Sequence, residues 1–234
     1  MNVITLASRK GGAGKSTLTA QLAAQCHAAG KRTLIIDADP QGSLSLWHSL
    51  RRDGQPKLVT PERGLDRALA FAMIEGTDYV FIDTAPTMWV VVQEAIRVAS
   101  MVLIPARPGF FDLAAVRETV KVSRARNRPY AVVINAAPVR RDDKDANLVT
   151  ASRAYFEGLQ IPVWSGQISQ RAGFQSTLAA GASAAEIGPQ TAAGMEIAKL
   201  WSAVERSIEA INAARFEPAA PANGDAKVMS GRVA

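Results

Sequence analysis

Ten consecutive residues carry the most specific chemistry in this chain: Ser8-Arg9-Lys10-Gly11-Gly12-Ala13-Gly14-Lys15-Ser16-Thr17. Glycines let backbone N–H groups turn inward and approach anionic oxygens closely. Gly11, Gly12, Ala13 and Gly14 therefore form a cradle for phosphates, and Lys15, Ser16 and Thr17 close it at the start of a helix. The helix N-terminus adds its own partial positive charge. In such a loop Lys15 reaches the β- and γ-phosphates, the Ser16 hydroxyl ligates Mg²⁺, and Thr17 meets the α-phosphate region. The plainer alternative is a glycine-rich turn that binds nothing. Gly-Lys-Ser directly after the loop glycines argues against it.

Three carboxylates belong with this loop. Asp37 and Asp39 follow Leu34-Ile35-Ile36, so they stand just past a strand end, where they can face a metal ion and water. Either one could instead cap a turn. Asp83 ends the apolar run Val80-Phe81-Ile82, the pattern of an acid that holds Mg²⁺ through water. Thr84-Ala85-Pro86 behind it would sense the γ-phosphate.

These residues need strand ends to hold them, and the sequence supplies alternating strands and helices. Strands are predicted at Val3–Ala7, Arg32–Asp37, Leu58–Thr60, Tyr79–Asp83, Met101–Pro105, Tyr130–Asn135 and Ile161–Trp164. Helices are predicted at Lys15–Ala29, Pro61–Glu75, from after Asp83 to about Ala99, at Asp112–Asn127, at Lys144–Glu157, and over about 170–180 and 190–215. Several strands are continuous apolar runs, as in a sheet covered on both faces. The fold class expected is α/β: a mostly parallel, twisted sheet with helices on both faces. One domain spans 1–216. From Glu217 the composition turns to Pro, Ala, Asn and Gly, which predicts a disordered tail over 217–234.

The loop departs from the ordinary pattern, with Arg9 at the first glycine position and a second lysine, Lys10, beside it. Lys-Gly-Gly-Ala-Gly-Lys-Ser resembles the deviant phosphate loop of the ParA/MinD family. Leu34–Ser43, with Asp37-Ala38-Asp39-Pro40-Gln41, resembles that family's second strand and the loop after it. The resemblance implies a P-loop ATPase that binds ATP and Mg²⁺. It implies that Lys10 reaches a partner's nucleotide across a homodimer interface, that Asp37 lies near the magnesium shell, and that Asp39 positions the attacking water. Lys10, Lys15 and Asp39 would be the catalytic set, and Ser16, Asp37 and Asp83 the metal set. Asn135 falls where the family places an adenine contact, and Gln167–Gly181 resembles its adenine-side region.

Length and the Asp-Pro-Gln loop look most like short ParA proteins. The resemblance then implies an ATP-bound sandwich dimer on non-specific DNA, released by a ParB-like or cargo-adaptor partner that stimulates weak hydrolysis. Carboxysome-positioning and VirC-type relatives, a MinD-like membrane cycle and an ATP-dependent small-molecule ligase are the alternatives. The formal charge of +6 permits salt-sensitive attraction to DNA or anionic membrane. Arg117, Lys121 and Arg124 share one helix face, and Arg171, Lys199 and Arg206 are rival DNA contacts. An ordinary solvated helix face would look the same.

The last helix carries Leu200, Trp201, Val204, Ile208 and Ile211 at core spacing, and the terminus lacks a bulky apolar face, so membrane binding is disfavoured. One cysteine, Cys26, excludes an intramolecular disulfide and a cysteine-rich metal site. With no secretion signal read at the N-terminus, a cytoplasmic, nucleoid-associated protein is expected.

Overall fold

The computed structural model describes residues 1–142 and 144–216. Strands β1 (Asn2–Leu6), β2 (Thr33–Ala38), β3 (Lys57–Val59), β4 (Tyr79–Thr84), β5 (Met101–Ala106) and β6 (Tyr130–Ile134) form one sheet. Their order is β3-β2-β4-β1-β5-β6, and every pairing is parallel. All strands therefore end at the same edge. β1 is central, with β4 and β5 on its two sides, and the chain leaves β2 and β5 in opposite directions across it. Ligands of open α/β sheets bind at this kind of crossing, outside the carboxyl ends of the strands.

Helices α1 (Lys15–Ala28), α2 (Ser43–Ser49), α3 (Leu65–Ile74), α4 (Trp89–Val98), α5 (Phe110–Ala125), α6 (Asn147–Gly158), α7 (Ala172–Ala179), α8 (Ala184–Ile187) and α9 (Ala192–Phe216) cover both faces. Alternate strand residues supply the two sides. Ile4, Leu6, Ile35, Phe81, Leu103 and Val133 pack with α1, α2, α7, α8 and α9. Val102, Ile104, Val132 and Ile134 pack with α4, α5 and α6, while Val3, Leu34, Ile36, Val80 and Ile82 pack with α3 and α4. The expected core stripe of α9 is buried at Leu200, Trp201, Val204 and Ile208, with Tyr79 edge-on to Trp201 at 5.1 Å between ring centres.

Several expected boundaries move. α3 begins at Leu65 instead of Pro61, because the Gly64 N–H closes a turn onto the Pro61 carbonyl at 2.9 Å and Gly64 adopts φ +89°. α6 begins at Asn147 instead of Lys144, which is paired with Arg141. The strand expected over Ile161–Trp164 is one isolated bridge between Val132 and Val163, flanked by Pro162, which has no N–H to extend a ladder. The short helices α2 and α8 were not anticipated. The tail expected over 217–234 lies outside the described residues.

Candidate active site

The loop between β1 and α1 is built for an anion. Gly14 precedes the helix at φ +98°, no side chain caps the N-terminus, and no acidic residue lies in the first turn. The first N–H groups of α1 are left for a ligand. A Cβ on Gly11 would meet nothing within 4 Å, which is open space over the cradle. A Cβ on Gly14 would stand 2.0 Å from the Asn135 amide nitrogen, so only glycine fits there. Lys15 is buried, and its ammonium curls back to the Lys10 carbonyl at 3.5 Å. Burial lowers its pKa below the ordinary lysine value, against the opposing pull of Asp83 and Asp39.

The three carboxylates take different environments. β2 and β4 pair with Asp37 directly beside Asp83. Asp83 is fully buried, and neither of its oxygens has a well-formed hydrogen bond among the described residues. Burial pushes its carboxyl up to about 7; the nearby Ser16 hydroxyl tempers the shift and the Asp37 charge adds to it. An orphaned buried acid beside a serine hydroxyl and an uncapped helix start fits a divalent cation carried in with a phosphate chain. Ser16 and Asp83 would hold Mg²⁺ there, and the ion would supply charge neutralisation between phosphate oxygens.

Asp37, expected in the metal set, lies beside Asp83 and is held by local hydrogen bonds. Its Oδ2 accepts from the Ser45 N–H at 2.9 Å and the Ser45 hydroxyl at 2.8 Å, and its Oδ1 faces the Asp39 N–H at 3.4 Å. Both oxygens are engaged in fixing the β2–α2 loop. Asp39 is half-buried in the cleft wall, and its Oδ1 accepts from the Gln41 N–H at 3.0 Å.

Asn135, the expected adenine contact, lines the cleft beside the phosphate loop. Its amide donates to the Ala13 carbonyl at 2.7 Å, so it braces the phosphate loop from below. The cleft of about 1340 Å³ runs from Gly12–Thr17 past Asp39 and Pro86 to Gln170, Phe174 and Leu178. The expected base-side segment thus does line the same cavity as the phosphate loop. Next to Leu50 of this lining, the buried Arg51 side chain joins the end of α2 to the α7–α8 turn. It donates to the Gly181 carbonyl at 3.1 Å and to both oxygens of Glu186 at 3.1 and 2.7 Å.

The sequence profile of the CobQ/CobB/MinD/ParA nucleotide binding domain matches residues 4–195. The chain belongs to that family. It is similar to the maintenance of carboxysome distribution protein A of Halothiobacillus neapolitanus, with 25% identity over 190 residues, 79% of this chain and 87% of that protein. Its fold resembles the septum site-determining protein MinD of Pyrococcus horikoshii, solved with Mg-ADP, at TM-score 0.68 and 16% identity, covering 90% of this chain and 98% of that one. It also resembles an ATP complex of Cyanothece McdA, at TM-score 0.60 and 18% identity, covering 92% and 96%. This ParA/MinD-family chain thus has the ATP-binding fold of the P-loop ATPases.

The remaining expected residues of the ParA/MinD-family chain are spread around this cleft. Lys10 is exposed on its rim and has no carboxylate partner among the described residues. Arg9 lies over the Trp89 ring, 4.8 Å from its centre, and so links the phosphate loop to the start of α4. Arg107, which the sequence reading did not single out, stands beside Gly12. Its signal was position alone: it directly follows β5, the strand paired to β1.

Of the DNA candidates, Arg117 and Lys121 are exposed on α5, and Lys199 and Arg206 on α9. Arg124 is tied to the Tyr130 hydroxyl at 2.7 Å and the Gln160 carbonyl at 3.0 Å. Arg171 is ion-paired with Glu196 at 2.9 Å, inside the cleft wall. Arg171 is therefore charge-paired, while Arg124 stays exposed with no carboxylate partner among the described residues. No helix among the described residues is long and apolar enough to cross a membrane.

Proposed function

We propose that this chain is an ATP-driven positioning switch, acting as a nucleotide-dependent homodimer on non-specific DNA and released by a partner protein that stimulates hydrolysis. The observation that carries the reading is the contrast between the two lysines of one loop. Lys15 is buried over its own cradle, while Lys10 is exposed with no carboxylate partner among the described residues. A cation so placed can meet the nucleotide of a second copy, where it would stabilise developing phosphate charge as an arginine finger does. Dimerisation and nucleotide state are then one equilibrium. Asp39, in the cleft wall without a well-formed tie beyond its own turn, is the group to position water.

Similarity supports more than one cargo. The Halothiobacillus relative is named for carboxysome distribution, so a protein body suits this switch as well as a plasmid or chromosome. The exposed cations Arg117, Lys121, Lys199 and Arg206 support DNA as the track. A nucleoid-associated place in the cell belongs to the same reading.

The test is size-exclusion chromatography with light scattering beside a DNA gel shift, run with ATP, ADP or no nucleotide. ATP should produce a dimer that shifts DNA of any sequence. Asp39→Ala should bind ATP, hydrolyse it at least tenfold more slowly and stay dimeric on DNA. Lys10→Ala should bind ATP as a monomer. Equal DNA binding in all three nucleotide states would overturn the switch. Turnover that needs a small acid or amine and ignores DNA would mark a ligase instead.

A further inference from the structure

We infer that Arg107 is a phosphate-binding residue of this cleft, meeting the triphosphate held by the loop of its own subunit. The inference rests on the ATP-binding reading and adds a group that no loop motif contains. A Cβ built on Gly12 would lie 3.7 Å from the Arg107 Nη2, so the guanidinium is already at the cradle. Arg107 lines the same cavity as Gly12, Lys15, Asp39 and Pro86.

The backbone beneath it is fixed while the side chain is free. The carbonyl of the preceding residue, Ala106, accepts from the Asn135 N–H at 2.8 Å, and the Arg107 carbonyl accepts from the Gly109 N–H at 2.8 Å. Pro108 is buried, and a proline at this position also confines the residue before it to extended backbone. Asn135 is in turn bonded to the loop carbonyl of Ala13, so the two walls are registered to each other. Among the described residues no carboxylate pairs with the Arg107 guanidinium and no side-chain hydrogen bond holds it.

A planar fork of donors on a rigid base, facing an open anion cradle, matches phosphate geometry. Its closeness to Gly12 places it within reach of phosphate oxygens seated on the loop glycines. Arg107 is exposed, so its guanidinium is accessible to a ligand seated on the loop glycines.

The experiment measures ATP affinity by calorimetry with Mg²⁺, and melting temperature without nucleotide, for the unaltered chain, Arg107→Ala, Arg107→Lys and Lys15→Ala. Arg107→Ala should weaken ATP binding on the order of tenfold, as expected for a lost charge-assisted contact. Its ligand-free melting temperature should stay unchanged, and Arg107→Lys should recover part of the affinity. Two results overturn the assignment: Arg107→Ala binding ATP like the unaltered chain, or its ligand-free protein melting several degrees lower, which would make the role structural. Failure of the unaltered chain to bind ATP would remove the nucleotide reading itself, and this inference with it. Binding by the unaltered chain and not by Lys15→Ala keeps that reading standing whatever Arg107 does.

Discussion

Asp83 holds two buried oxygens without satisfied hydrogen bonds, next to the carboxylate of Asp37 on the neighbouring strand. On the proposed reading, the ligand-free protein carries that cost for a cation brought in with nucleotide. Asp83→Asn should therefore raise ligand-free stability by about 1 kcal/mol while abolishing Mg²⁺-dependent turnover. Urea unfolding without nucleotide checks the first part, and a less stable variant would show that Asp83 is not under strain. Gly14 and Asn135 interlock in a different way. Any side chain at 14 meets the amide that braces the loop, so Gly14→Ala should lose ATP binding more than tenfold. Asn135→Ala made together with it should restore part of the binding, which calorimetry would read.

The elements around the site are coupled by two side-chain ties. Arg9 over Trp89 joins the phosphate loop to α4, directly behind the segment expected to sense the γ-phosphate. The emission of Trp89 should change when ATP binds, and Trp89→Phe should remove most of that change even though Trp47 also lines the cleft. Persistence of the full signal in Trp89→Phe would discard the coupling. The second tie is Arg51 with Glu186. Burial pushes the Glu186 carboxyl up, but Arg51 and the Ser183 N–H together hold it below its ordinary value of 4.5. A depressed carboxylate stabilises the fold above that ordinary value and loses the contribution as pH falls through its lowered one. Glu186→Gln should thus cost roughly 2 kcal/mol at pH 7, less than for a fully buried pair because Glu186 keeps some contact with water. The deficit against the unaltered chain should shrink as the medium is acidified below about pH 4.5; acid titrations of unfolding for both proteins would show it.

These ties also mark the limit of what the sequence discloses. The sheet strands were legible because runs such as Leu34-Ile35-Ile36 and Val80-Phe81-Ile82 are apolar on consecutive residues, as burial on both faces requires. The phosphate loop was legible because its glycines and lysine are contiguous. α2 was not, since Ser43–Ser49 has no strong start signal of its own and depends on Asp37 holding Ser45. Arg107, Trp89 and Glu186 act through neighbours far away in the chain, and no spacing rule connects them to the loop.

At the scale of the whole molecule, the exposed DNA candidates on α5 and α9 fall on two sides of one sheet. Arg117 and Lys121 ride on α5 over one face, Lys199 and Arg206 on α9 over the other. A rigid subunit cannot press both faces on the same duplex. Replacing one pair by alanine should lower the salt dependence of DNA binding by roughly two phosphate contacts, and replacing the other should leave it unchanged. Gel shifts across a salt series decide which, and equal effects from both pairs would argue for a diffuse attraction without a defined face. A last consequence comes from six strands that all finish at one edge. Everything that handles nucleotide hangs from that rim, and the turns at Gly30 and Asn127 belong to the far one, about 20 Å of strand away. A fluorescent label or surface tether attached there would leave the working end clear, so the proposed exchange on DNA could be followed one copy at a time.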